Sequence, residues 1–229
     1  MKYRLTDETM KVGTVILHRI ECVEAFADVK AGDKGGWIEK ESNLSQENGA
    51  WVYDDARVFG NAWVCNEARV RERAKVWGNA KVCGNAEVCG NAEVYGNAWI
   101  YGDARVFEYA SVFDDANVGS NAWIYGDTSV FDYAEILDDA KVYGNAVVKG
   151  YAHIRGNAKI SQTSDYIVFQ NNFSSGRYFT WTRSDNMWTV GCFHGTGEEL
   201  IEKARKDNEK KARCYALYVK LVKDLQEIE

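Results

Sequence analysis

Between residues 50 and 160 the chain repeats one phrase every six positions: alanine, any residue, an aliphatic residue, any residue, then a turn-forming pair. Ala80-Lys81-Val82-Cys83-Gly84-Asn85 is a clean example. Nineteen successive units carry valine at the aliphatic position in fourteen cases, from Val52 to Val148, and isoleucine in five, namely Ile100, Ile124, Ile136, Ile154 and Ile160. Alanine stands two places earlier in every unit except one, which has Thr128. Residues two apart share a face of an extended strand, so the alanine and the aliphatic side chain both point inward. The pair Gly78-Asn79 or Gly96-Asn97 supplies a corner, because both residue types tolerate positive φ. A helix is excluded, since inward positions recur at two and four and a glycine every sixth residue would destabilise each turn. Each unit is a short strand and a bend. One such strand cannot bury its face alone, so the units coil and stack.

This pattern resembles the hexapeptide-repeat proteins. The resemblance implies an all-β, single-stranded, left-handed parallel β-helix of triangular section with three units per coil; the hand comes from the resemblance alone. Eighteen residues per coil give about six coils, and roughly 4.8 Å between strands makes the prism roughly 30 Å long. The absence of proline fits a chain that pairs nearly every backbone N–H in stacked ladders. Both open ends of such a stack are unpaired edges that need covers.

The phrase divides the chain into an N-terminal β cap over 1–49, the repeat array over 50–161 and a C-terminal module over 162–229. In the first segment "TVILHRIEC" alternates like a strand. It leads to Lys30, Ala31, Gly32, Gly35, Gly36, Trp37, Ile38, Leu44, Ser45 and Gln46. These residues resemble the entry motif of the YdcK-like hexapeptide-repeat proteins, a family labelled as transferases. The array is more regular than that family's usual pattern, and "SQENGAW" carries two extra residues before the first coil. In the third segment "YIVFQN" and "RYFTWTRSDNMWTVGCF" read as strands, the latter turning at Ser184-Asp185-Asn186. Thr196 and Glu199 form a capping box that opens a helix. A second helix over about 209–227 shows Cys214, Leu217, Tyr218, Leu221, Val222 and Leu225 on one face. The string "GCFHGTGEEL" is similar to modules of phage-encoded proteins. Together these strands and helices make a small α+β unit expected to cap the last coil or to dock a partner.

Composition narrows the function classes. A net charge of −6 over 229 residues argues against a protein devoted to nucleic-acid backbones. No apolar run approaches the roughly 18 residues of a membrane span, and the first residues lack a signal peptide's apolar core. The expected setting is therefore cytoplasmic. The cysteines at 22, 65, 83, 89, 192 and 214 form no C-x-x-C pair and no zinc-type cluster. Free, reduced thiols are expected.

Candidate chemistry lies in the outward slots, which fall into columns eighteen residues apart. One column reads Phe59, Trp77, Tyr95, Phe113, Phe131, Lys149. Its five aromatics at about 4.8 Å intervals form either a self-stacked ladder or a platform for a planar ligand, a sugar or a partner's apolar face. Arg69, Arg71, Arg73 and Lys75 are concentrated in one coil, as a solvated face or as a phosphate seat. Another column reads Trp63, Lys81, Trp99, Asn117, Glu135, His153, so Glu135 could orient His153. The hexapeptide resemblance implies a second function for that pair. His153 would be the base of a CoA-dependent acyltransferase working between the subunits of a homotrimer, with CoA or acetyl-CoA as its only cofactor. The array has no protruding loop to cover a substrate. The favoured expectation is a non-catalytic binding or assembly protein, without cofactor or metal, for a protein or small-molecule ligand. Corner acids such as Asp54-Asp55, Asp114-Asp115 and Asp138-Asp139 are read as turn residues, not calcium ligands.

Overall fold

Residues eighteen apart pair in parallel through the whole array. Trp99 is in register with Lys81 on one side and Asn117 on the other, and Ile100 with Val82 and Val118. Each coil donates its N–H groups to the carbonyls of the next: Trp99 N–H reaches Ala116 O at 3.0 Å and Tyr101 N–H reaches Val118 O at 2.9 Å. The computed structural model describes residues 1–228 and shows a parallel β-solenoid of about seven turns, followed by a small antiparallel sheet and two helices. Three sheets form the sides of the prism. The array's valines and isoleucines are fully buried in one continuous core with its alanines. Thr128, the single departure, is buried with its hydroxyl unpaired.

The corners obey a stricter rule than the sequence suggests. In all eighteen pairs from 54 to 156 it is the first residue that takes positive φ, between 50° and 83°; the second does not. At several corners where that first residue is not glycine, its side chain gains a role. The Asp54, Asp132 and Asp138 carboxylates accept from the N–H of Glu72, Gly150 and Gly156 in the next coil, at 3.1, 3.0 and 3.1 Å. These three corner acids are thus fixed by backbone donors.

The solenoid also starts earlier than residue 50. Strands β1 (Tyr3–Val12), β2 (Val15–Cys22) and β3 (Lys34–Ile38) form an antiparallel meander. The last of these then pairs in parallel with the array, Trp37 opposite Arg57 and Ile38 opposite Val58. Leu44 bridges Val64 in the same sense. Ile38 and Leu44 are therefore two marker positions six apart, and the two extra residues before Val52 hide them from the six-residue count. This partial coil raises the expected six turns to about seven.

The N–H groups on either side of each aliphatic residue point toward the C-terminal end, so the two ends of the stack are chemically unlike. The first coil presents carbonyls, and the N-terminal segment supplies donors. The Lys2 ammonium donates to Ala50 O, Asn48 O and Glu47 O at 2.8, 3.2 and 3.4 Å. The Tyr3 hydroxyl lies 2.8 Å from Leu44 O and 2.9 Å from Glu41 O. The last coil presents N–H groups to acceptors of the C-terminal segment, and the Tyr166 hydroxyl also donates to Val147 O at 3.1 Å. Lys149 N–H reaches the Tyr166 hydroxyl, His153 N–H the Thr180 hydroxyl, Lys159 N–H the Ser184 hydroxyl and Ser161 N–H the Asp165 carboxylate, at 3.3, 2.9, 2.7 and 2.7 Å.

The C-terminal sheet runs through Tyr166–Asn171, Arg177–Thr182, Met187–Val190 and Phe193–Gly195. Helices α1 (Gly197–Asp207) and α2 (Glu209–Gln226) pack on it around Phe179, Trp188, Leu200, Tyr215 and Val219. The Thr196–Glu199 capping box is present. The apolar face expected for α2 is rotated, however. Ala212, Tyr215, Val219 and Val222 are buried, while Leu217, Leu221 and Leu225 face outward. Gly197 lets α2 approach this closely, since a Cβ there would lie 2.7 Å from a Val219 methyl.

Candidate functional site

The slot after each aliphatic residue lies at a corner, and there aromatic residues stack. Phe59, Trp77, Tyr95, Phe113 and Phe131 have successive centroid distances of 5.8, 4.4, 4.9 and 4.8 Å, with planes within 6° of parallel. Each inner ring has both faces against its neighbours, and only edges meet solvent. Burial raises the Tyr95 hydroxyl above its ordinary pKa, and the nearby Glu93 and Asp114 charges add to this. Two further ladders follow the same logic: Phe107, Tyr125 and Tyr143, and Tyr133, Tyr151 and Tyr178.

The arginines do not converge on one seat. Arg69 lies 3.5 Å from Asp28. Arg71 lies 3.1 Å from Glu87 and also covers the Tyr53 ring at 4.4 Å. Arg73 turns to a different side, lining a polar groove of about 550 Å³ with Asp55, Arg57, Lys75 and Glu93. The Lys75–Glu93 ion pair, at 2.9 Å, lies within that groove.

A third side of the prism is built differently. Trp63, Lys81, Trp99, Asn117, Glu135 and His153 stand in register along it. Of the eight tryptophans in the chain, Trp63 and Trp99 are the exposed ones, at 44% and 45%. The others are buried or covered. Trp77 lies within the ladder, and Trp123 sits between Arg105 and Lys141 at 5.3 and 4.7 Å. Trp63 has no ring partner among the described residues, and Trp99 leans on Tyr101 at 4.8 Å with a 40° tilt.

One edge of this open face is a chain of side-chain amides. Asn61 donates to Asn79, Asn79 to Asn97 and Asn97 to the Asp115 carboxylate, at 3.2, 3.0 and 2.9 Å. Tyr133 follows in the same column. These groups and the face enclose a shallow groove of about 530 Å³ lined by Asn79, Lys81, Asn97, Trp99, Asp115, Asn117 and Tyr133. The opposite edge carries a disulfide between Cys65 and Cys83, whose Cα atoms are 4.8 Å apart in consecutive coils. The expectation of free thiols fails for this pair. Its residues are eighteen apart and occupy one column, within the Cα distance a disulfide spans. Cys22, Cys89, Cys192 and Cys214 are free. With a disulfide present, the thiols no longer argue for a reducing compartment.

At the far end of the face the His153 imidazole Nδ1 lies 3.6 Å from a Glu135 carboxylate oxygen. Both side chains are partly exposed. The sequence brought this column forward only for its histidine; the alternation of Trp63, Lys81 and Trp99 was the signal that it also holds uncovered rings. No group of His, Cys, Asp or Glu among the described residues is arranged to hold a metal. No helix among them is long and apolar enough to cross a membrane.

Coil register, alanine–aliphatic core and corner geometry together define a hexapeptide-repeat β-solenoid. Comparison with known proteins gives the kind of repeat. Residues 50–66 match the family model described as YdcK Beta solenoid repeat. The chain is also 43% identical over 61 residues to the "Uncharacterized acetyltransferase YdcK" of Escherichia coli (strain K12). That match covers 23% of this chain and 19% of the relative, so the chain spans about a fifth of that protein's length. The repeats of this solenoid are YdcK-like.

Proposed function

We propose that this chain is a non-catalytic binding or assembly protein whose rigid solenoid presents the open face to a ligand. The observation that supports this reading is the pair of exposed indoles, Trp63 and Trp99, on a flat and pre-formed surface. Exposed apolar surface on a rigid scaffold usually marks a contact site. The sequence pointed to the Phe59–Phe131 ladder for this role, but its ring faces are spent on one another. The outward leucines of α2 offer a further contact surface. Phage or prophage origin, implied by the resemblance of the segment around Gly191–Leu200, belongs to the same reading.

A second reading has one observation in its favour, the His153–Glu135 contact. In an acyltransferase His153 would take the proton of an acceptor hydroxyl or amine as it attacks the thioester carbonyl of acyl-CoA, and the CoA thiolate would leave. The printed name of the Escherichia coli relative agrees with that chemistry, although fold likeness does not carry activity across. Native mass spectrometry of the purified protein with and without acetyl-CoA separates the two. The binding reading expects no CoA complex and no thiol release. Thiol release that disappears in His153→Ala, from a trimer, would replace it with the second.

A further inference from the structure

Resting on the binding reading and its open face, we infer that the ligand is an extended, uncharged polysaccharide of the β-1,4-linked ribbon type, lying along the prism axis. Trp63 and Trp99 are two coils apart in one column, about 9.6 Å at roughly 4.8 Å per coil, close to the length of a disaccharide. In a β-1,4-linked chain each sugar is flipped relative to the last, so every second sugar turns the same side to a flat surface. A two-coil step between ring platforms is the spacing such a chain requires. Tyr133, stacked on Tyr151, closes the groove at its other end.

Pyranose rings carry an apolar C–H side and a rim of hydroxyls, and the open face has a counterpart for each. The indole faces take the C–H sides. The flanking amides take the hydroxyls. Asn79 and Asn97 each spend one N–H in the amide chain, at 3.0 and 2.9 Å, and keep the second for a ligand. The Asp115 carboxylate, fixed by Asn97, keeps acceptor capacity at the end of the row. Because the backbone and the amide chain are already ordered, little freedom is lost on binding. The lining also sets the ligand's charge: Lys81 and Asp115 balance each other, so the groove favours neither an anionic nor a cationic polymer. A protein partner would leave this row of evenly spaced donors largely unmatched.

Affinity electrophoresis in native gels containing hydroxyethylcellulose, galactomannan or glycol chitin tests the assignment, with calorimetry on the matching oligosaccharides of two to six units. Retardation by at least one polymer is expected, with little dependence on salt and with affinity rising with oligosaccharide length. Trp99→Ala should weaken binding at least tenfold, and the Trp63→Ala/Trp99→Ala double variant should abolish it while its circular dichroism stays unchanged. Trp77→Ala, in the closed ladder, should bind as the wild type does. Migration unaffected by all three polymers, or retardation that survives in the double variant, overturns the assignment. If the double variant instead loses self-association in sedimentation velocity, the polysaccharide is wrong and the binding reading stands. Loss of the assignment together with His153-dependent thiol release from acetyl-CoA removes both.

Discussion

The closed ladder from Phe59 to Phe131 and the open face from Trp63 to His153 use the same kinds of side chain on the same eighteen-residue period, yet they serve opposite ends. In the ladder five rings follow one another without a gap, so each covers its neighbours at 4.4 to 5.8 Å. On the open face Lys81 and Asn117 interrupt the rings. Trp63 and Trp99 are left about two coils apart, roughly 9.6 Å, too far to touch. In a stacked repeat an unbroken aromatic column stabilises the stack, whereas an interrupted one leaves ring faces available. In the proposed binding role it is the interruption that leaves room for a ligand.

That contrast can be tested from several directions. The largest effect is expected at the edge of the open face. Reducing Cys65–Cys83, or replacing both by serine, should lower unfolding stability by about 3 kcal/mol, the scale of closing a loop of this size, as read by denaturant titration. Within the ladder, Trp77→Ala removes two stacked contacts and part of a buried ring. It should cost about 2–3 kcal/mol, from about 0.5–1.5 per aromatic pair plus lost burial. Lys81→Trp would turn the open face into a ladder by placing a ring between Trp63 and Trp99. A gain of about 1–2 kcal/mol in stability, together with loss of ligand binding, is expected; unchanged stability would show that the rings of this face cannot stack. Trp99→Ala, which leaves only the tilted contact with Tyr101 unmade, should change stability by less than about 1 kcal/mol.

The smallest effect is a dependence on pH. Tyr95 has its pKa raised above the ordinary value of 10.0 by burial and nearby acids, so the folded chain holds this proton to higher pH than the unfolded chain does. The stability it contributes is complete below about pH 10 and is lost as the pH rises through the folded value. Tyr95→Phe should remove that alkaline component from a series of unfolding curves.

Much of the fold was legible because a single-file repeat writes its core directly into the sequence. Val52 to Ile160 and the alanines two places before them are inward, and the structure buries them all. The parts that were not legible share a cause: they depend on what lies one coil away, not on the local phrase. Ile38 and Leu44 were missed because Gly36 replaces the usual alanine and two inserted residues break the count; a Cβ at Gly36 would meet a Val52 methyl at 2.6 Å. Cys65 and Cys83 were read along the chain, where they are unrelated, and not down their column, where they are neighbours. On α2, spacing could define an apolar stripe but not which side meets the sheet. Gly197 and Ala212 decide that by allowing close approach, which leaves Leu217, Leu221 and Leu225 outside. For the candidate site the sequence supplied the column of Trp63, Lys81, Trp99, Asn117, Glu135 and His153. It could not show which aromatic columns were already occupied by their own members.

The unlike ends of the stack have a consequence for how large this molecule can become. The two bare ends of a parallel stack are complementary, so two uncapped copies would join head to tail and the joined pair would present the same two ends again. Nothing in the six-residue phrase limits such growth, which is the condition for an open fibre. Lys2 and Tyr3 at one end, and Tyr166, Thr180, Ser184 and Asp165 at the other, occupy those bonds with side chains that cannot propagate them. Residues outside the repeat thus close bonds that the repeat by itself would leave open to a second copy.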